Sequence, residues 1–177
     1  MIGVPKNEVI LESHCEEWTA EFKKIKRRLE NIHRENAVDI QHVGSTAIPG
    51  IVAKPLIDVA LLLKRVTAAS FDAMIQNGYI YYGEVAEGKY LFILKGENAL
   101  SLQHIHCYGE ENCALFYEQL RFRDFLCSHP EYAREYESLK LRLCKLYAKD
   151  RKRYTEGKQP FFDKIKNLAS QDEQFNR

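Results

Sequence analysis

The run Pro55-Leu-Ile-Asp-Val-Ala-Leu-Leu-Leu63 is the most constraining stretch of the chain. Apolar residues stand at both alternating sets of positions, which is the pattern of a strand buried on both faces rather than one with a wet side. Asp58 is its one interruption. A carboxylate taken into such a strand must be paired, hydrogen-bonded or bound to a metal, because an isolated charge costs too much to bury. Any fold for this chain therefore needs a core thick enough to cover the strand and a polar partner set placed at Asp58.

The rest of the chain supplies the covering elements. Trp18, Phe22, Ile25, Leu29 and Ile32 recur at spacings of four and three, which predicts an amphipathic helix over roughly residues 14–35. A short strand over 38–43 follows, then the buried strand, then a helix over about 67–76 stopped by Asn77-Gly78. Strand-like segments over 79–82, 89–94 and 99–108 are divided by Gly83, Gly88 and the turn Lys95-Gly-Glu-Asn98. From about Asn112 the pattern is helical, interrupted at Ser128-His-Pro130 and again at Gly157 and Pro160. The order predicts an α+β fold, with a mixed β-sheet core, an N-terminal helix and a helical C-terminal half. One domain over 1–177 is expected, its αβ core over about 14–110 and its helical part over about 111–170.

Composition narrows the function classes. The chain has 177 residues, 26 Lys and Arg against 25 Asp and Glu, and a formal net charge of +1. A balance so close to neutral argues against a generally basic nucleic-acid coat. Charge is unevenly placed, however: Leu139 to Lys158 holds eight basic residues against two acids. Tyr147 and Tyr154 are interleaved there, and Arg121, Arg123 and Lys158 are candidates to line a cleft that supplies counter-charge to phosphates. RNA is the less favoured partner, since no RNA-binding motif is visible. Five cysteines without a CxxC pair, no apolar run long enough to span a bilayer and no secretory-type N-terminus predict a cytoplasmic protein with no membrane partner.

The segment richest in chemistry is His42-Val-Gly-Ser-Thr-Ala-Ile-Pro-Gly50, followed by Lys54-Pro-Leu-Ile-Asp58. A Gly-Ser pair after a strand lets the backbone turn tightly and offers N–H groups and a hydroxyl to an anion. Gly-Ser on one strand end and a carboxylate on the next strand match the signature of the nucleotidyltransferase superfamily. The longer string HVGSTAIPGIVAKPLID closely resembles the signature of the GrpB family, whose members are assigned that fold. Further points of resemblance are Gly78-Tyr79, Gly83-Glu84, His104-Ile-His106, Phe122-Arg-Asp-Phe-Leu126, Tyr136 with Lys140, and Tyr154 with Lys158.

The resemblance implies a nucleotidyltransferase-like protein that binds a nucleotide or other phosphorylated small molecule and, if active, transfers a nucleoside monophosphate. It implies Gly44, Ser45 and Thr46 on phosphate, with His42, Lys54, Arg123, Lys140 and Lys158 as further binding candidates. Asp58 would hold a divalent metal, Mg²⁺ or Mn²⁺. The second carboxylate usual two residues later in the superfamily is replaced by Ala60, which puts a two-metal mechanism in doubt. His104 and His106, two apart on one strand and so on one face, are the candidate replacements as catalytic or metal-binding groups, with Glu84 as a further metal ligand. Imidazoles would shift the preference towards Zn²⁺. The alternatives are a non-catalytic nucleotide- or phosphometabolite-binding module and a histidine-dependent metal phosphohydrolase or transferase. Cys107, between the histidine positions and the next residue of the strand, faces the opposite way and is expected in the core.

Overall fold

The computed structural model describes residues 2–5 and 8–175. It has an α+β architecture built on one five-stranded mixed sheet in the order β1-β2-β5-β4-β3. Helix α1 (Glu16–His33) leads into β1 (Ala37–Val43), β2 (Ile57–Leu63) and α2 (Ala68–Gln76). The strands β3 (Ile80–Ala86), β4 (Lys89–Lys95) and β5 (Ser101–Gly109) follow, and then α3 (Cys113–Ser128), α4 (Pro130–Tyr147), α5 (Arg151–Glu156) and α6 (Gln159–Gln171). The expected element order holds throughout. The one substantial difference is β3, which runs through Gly83 to Ala86 because irregular pairing with β4 absorbs the glycine.

β2 is an interior strand, with a neighbour on either side. It pairs antiparallel with β1 and parallel with β5. Ile57, Val59, Leu61 and Leu63 point to one face and join Trp18, Ile25 and Leu29 of α1, Met74 of α2, and Ile105 and Cys107 of β5. Ala60 and Leu62 point to the other face and pack with Val43, Tyr108 and Phe116 of α3. Period-2 geometry puts Asp58 on this second face, at the end of the strand where α3 and the later helices leave a cleft. α1 and α2 cover one face of the sheet and α3 the other, as a β2 strand apolar on both faces requires.

Two further features position the cleft. Residues 2–5 and 8–12 form a strap, with Val4 bridged to Ser101, Val9 N–H donating to the Ala148 carbonyl, and Glu12 bridged to Ala53. The strap thereby ties the sheet to the C-terminal helices. The second core, formed by Phe125, Tyr136, Phe161 and Ile165, packs α3, α4 and α6 around Ile48 and Ile51 of the β1–β2 connection. No helix among the described residues is long and apolar enough to cross a membrane, and all five cysteines are free thiols.

Candidate functional site

The β1–β2 connection begins with Gly44 at φ +70° and ψ −173°, a conformation only glycine adopts without strain. A side chain there would also collide with its neighbour: an added Cβ would lie 2.5 Å from Asp58 Oδ2 and 2.9 Å from Asp58 Cβ. The Gly-Ser pair is thus laid directly over the carboxylate, because β1 and β2 are adjacent and Val43 is in register with Asp58. Ser45 opens a short 3₁₀ turn, and its hydroxyl donates to Tyr136 Oη on α4 at 3.2 Å.

His104 and His106 share one face as their spacing predicts, and the sheet brings Asp58 to them. Asp58 is in register with His104, and Ala60 with His106, across the parallel β2–β5 pair. His104 Nδ1 and His106 Nε2 face the same carboxylate oxygen, Asp58 Oδ1, at 3.5 and 3.6 Å. Burial pushes the Asp58 carboxyl up, but hydrogen bonding and charge from the two imidazoles outweigh it and hold the group well below the usual carboxylate range. The His106 imidazole is moved down by burial, against the pull of Asp58, and so stays neutral near pH 7. His104 Nε2 and His106 Nδ1 are buried and have no hydrogen-bond partner.

These groups lie at the floor of a cleft of about 720 Å³ between the sheet and α3–α6. Gly44, Ser45, Thr46, Lys54, Asp58, His104, His106 and Lys158 all line it. Lys54 and Lys158 both approach the ring of Tyr154, at 5.4 and 5.1 Å. Burial, reinforced by each other's charge for Lys54 and by Arg151 for both, lowers the Lys54 ammonium to about 7 and the Lys158 ammonium to about 8. Lys89, Arg121 and Arg151 complete a cationic wall. The local sequence around Lys89 gave no reason to single it out; the fold brings it into the cleft lining, within reach of the Asp58 charge. Tyr136, read from the sequence as inward packing of α4, also touches the cleft through Ser45.

Four expected site residues lie elsewhere. Glu84 is on β3 at the far edge of the sheet, where its carboxylate accepts from the Gly88 N–H at 2.7 Å in the β3–β4 turn. His42 points to the opposite face of β1, stacked on Phe22 at 4.9 Å. It donates through Nε2 to Thr46 Oγ1, since that hydroxyl itself donates to the Leu56 carbonyl. Burial lowers His42 to about 4, so it is a neutral structural ring. Arg123 spends its guanidinium on Gln41 Oε1, the His42 carbonyl and Asp124. Lys140 is 1% exposed and donates to the Val52 carbonyl, with its ammonium 4.6 Å from the Tyr136 ring. Glu137, one turn earlier, accepts from the Val52 N–H at 2.7 Å, so α4 grips one loop residue by both backbone groups.

The donor set does not fit the paired Mg²⁺ ions of the superfamily mechanism. Mg²⁺ takes oxygen ligands in tight octahedral geometry, whereas Asp58 is flanked by two ring nitrogens and by Ala60, which is 0% exposed and packed against Val43 and Leu62. Among the described residues no group of three or more His, Cys, Asp or Glu is arranged to hold a metal ion. Cys107 faces the other core, and burial pushes its thiol up to about 12, which makes it an inert packing residue.

The family described as GrpB protein matches residues 8–167. The chain belongs to the GrpB family. It is 40% identical over 173 residues to the glutamate-rich protein GrpB of Alkalihalophilus pseudofirmus, covering 94% of this chain and 99% of that one. A second GrpB relative, the UPF0157 protein YqkA of Bacillus subtilis, is 35% identical over 156 residues, which cover 87% of this chain but 45% of that longer protein. The crystal structure of GrpB from Enterococcus faecalis superposes with a TM-score of 0.82 at 28% identity, covering 92% of this chain and 98% of that one. The Cid1 poly(U) polymerase bound to MgGTP is a far more distant neighbour, at a TM-score of 0.42 and 14% identity.

Proposed function

We propose that the cleft binds a nucleotide or other phosphorylated small molecule. The observation that carries this reading is the pairing of an anion-receptive Gly44-Ser45 turn with a wall of basic side chains that form no salt bridge among the described residues, its lysines answering to Asp58 at the cleft floor. Lys54, Lys89, Arg121, Arg151 and Lys158 face one space, and of the further pair Lys166 and Glu118, each answers the other at 2.9 Å. Phosphate oxygens would take the Ser45 hydroxyl and the Lys54, Arg151 and Lys158 heads, while the half-buried Phe122 and Phe162 offer apolar surface for a base. Like charges held this close raise the energy of the empty cleft and release it when a polyanion arrives.

Transfer of a nucleoside monophosphate is the reaction this arrangement would serve if it is active. An acceptor hydroxyl would attack the α-phosphorus, the bond to the bridging oxygen would break and pyrophosphate would leave. The hydroxyl proton would pass to the Asp58–His106 pair. Ala60 and its apolar packing favour the second reading, binding without transfer. Titration calorimetry with ATP is the test of the binding claim. Wild type should bind, and Ser45→Ala and Lys158→Gln should each weaken binding by roughly 5- to 30-fold, as loss of a charge-assisted contact does. Unchanged affinity in both variants overturns the site. Labelled-nucleotide transfer then separates the readings: activity in Ala60→Asp but not in wild type supports the binding module, and activity in wild type lost in Asp58→Asn supports transfer.

A further inference from the structure

The sheet has a second concave surface on the face opposite the cleft. α1 and the end of α2 enclose an open groove of about 690 Å³. Lys24, Arg27, Arg28 and Arg34 line it together with the side-chain amides of Asn31, Gln76 and Asn77, and no carboxylate does. Residues 24, 27, 28 and 31 follow helical spacing and form one stripe along α1 about 10 Å long at 1.5 Å per residue, with Arg34 just past the helix end. The opposite stripe of the same helix, Ile25 and Leu29, is buried in the core.

The groove is built rather than merely solvated. The Arg28 guanidinium lies 5.2 Å from the Tyr79 ring and donates to the Asn77 carbonyl, which closes the space between the two helices. Lys24 is bonded to Glu21 at 3.0 Å, while Arg27 and Arg34 have no ion-pair partner among the described residues. Arg34 ends α1 with φ 49° and ψ −125°. That is the first central position of a type II′ turn, which belongs to glycine. A bulky side chain held there is strained backbone, and such strain persists where the side chain is needed in place.

We propose that this groove is a binding site for the phosphodiester backbone of single-stranded nucleic acid. Three guanidiniums favour phosphate, which they engage through parallel N–H donors, and the amides suit phosphate oxygens and sugar hydroxyls. The helical stripe is long enough for about two consecutive phosphates, with Arg34 beyond its end. Concavity and the near absence of apolar side chains set the groove apart from a membrane-facing surface, which is flat and inserts apolar groups. The site carries no base readout, so it takes any sequence. It is independent of the cleft, which lies on the other face.

The full chain is titrated against fluorescein-labelled dodecamers of oligo(U) and oligo(dT), followed by anisotropy between 50 and 200 mM salt. Binding is expected to weaken with salt for both oligomers; binding to oligo(U) alone would assign the amides to the 2′-hydroxyl, within the same site. The double variant R27E/R34E should lose at least tenfold in affinity, with the salt slope reduced by about 1.4, since each single-strand phosphate contact contributes about 0.7. Arg34→Gly removes the strain and the charge together: it should keep or raise Tm yet reduce the salt slope by about 0.7. Lys158→Gln, on the opposite face, should leave oligonucleotide binding unchanged. The proposal is overturned if wild type shows no salt-dependent binding, if R27E/R34E binds as wild type does, or if Lys158→Gln is the variant that loses binding.

Discussion

Gly44 and Asp58 are one structural unit although thirteen residues separate Ser45 from the carboxylate. The glycine is required twice, by its positive φ and by the carboxylate lying where its side chain would be. Gly44→Ala is therefore expected to cost about 1–3 kcal/mol from the backbone alone, with further loss from overlap with Asp58. Urea unfolding measures the stability change, and ATP titration of the folded fraction should show weaker binding because the turn must lift away. The sequence already placed His104 and His106 on one face, since a two-residue period is local information, whereas their meeting with Asp58 rests on the β2–β5 pairing. It misjudged Glu84, whose distance from Asp58 depends on β3 pairing outside β4, a choice made by long-range contacts. Lys140 illustrates a different failure. It was expected on phosphate, but it stands four residues after Tyr136, shares its inward face and is spent on the Val52 carbonyl.

At the scale of elements, α4 is the clamp for the β1–β2 connection. Glu137 and Lys140 hold Val52 N–H and C=O, and Tyr136 takes the Ser45 hydroxyl while stacking on Phe161 at 5.0 Å. The helix therefore sets the position of a loop that carries the anion-receptive turn at its other end. Glu137→Ala strands the half-buried Val52 N–H and should lower unfolding free energy by about 1–3 kcal/mol. Glu137→Gln keeps an acceptor oxygen and should recover most of that loss. Chemical denaturation of the two variants side by side distinguishes a lost hydrogen bond from a lost charge. The helices themselves were legible from apolar spacing and from Pro130 and Pro160, which both stand in first turns. Which loop each helix holds was not, because the contacts are made by single polar side chains without periodicity.

For the molecule as a whole, the buried lysines make stability and ligand binding depend on pH. Lys54 and Lys140 are lowered to about 7 and Lys158 to about 8, in each case first by burial, whereas lysines in the unfolded chain titrate near 10.5. Between those values the unfolded state holds more protons than the folded one, so stability should rise as pH increases from about 7 towards 10. Thermal unfolding across that range, without ligand, checks the sign. A bound phosphate reverses the local effect by giving Lys54 and Lys158 a counter-charge. ATP binding at pH 8 should therefore take up protons, visible as a dependence of the measured heat on buffer ionisation enthalpy. Affinity should fall as pH rises above about 8. Near-neutral overall charge conceals this behaviour, because the cations are concentrated in a cleft and a groove on opposite faces.

The N-terminal strap has a consequence in time. Its partners are Ser101, Ala53 and Ala148, so its contacts span the sheet and the helical half together. Closing contacts over such long stretches of chain is entropically slow. The strap can dock only after β5 and the end of α4 have been formed and brought together. It is expected to be a late event in folding, and correspondingly an early one in unfolding. Hydrogen exchange at the Val4 and Val9 amides should report openings that leave the protected amides of β2 closed.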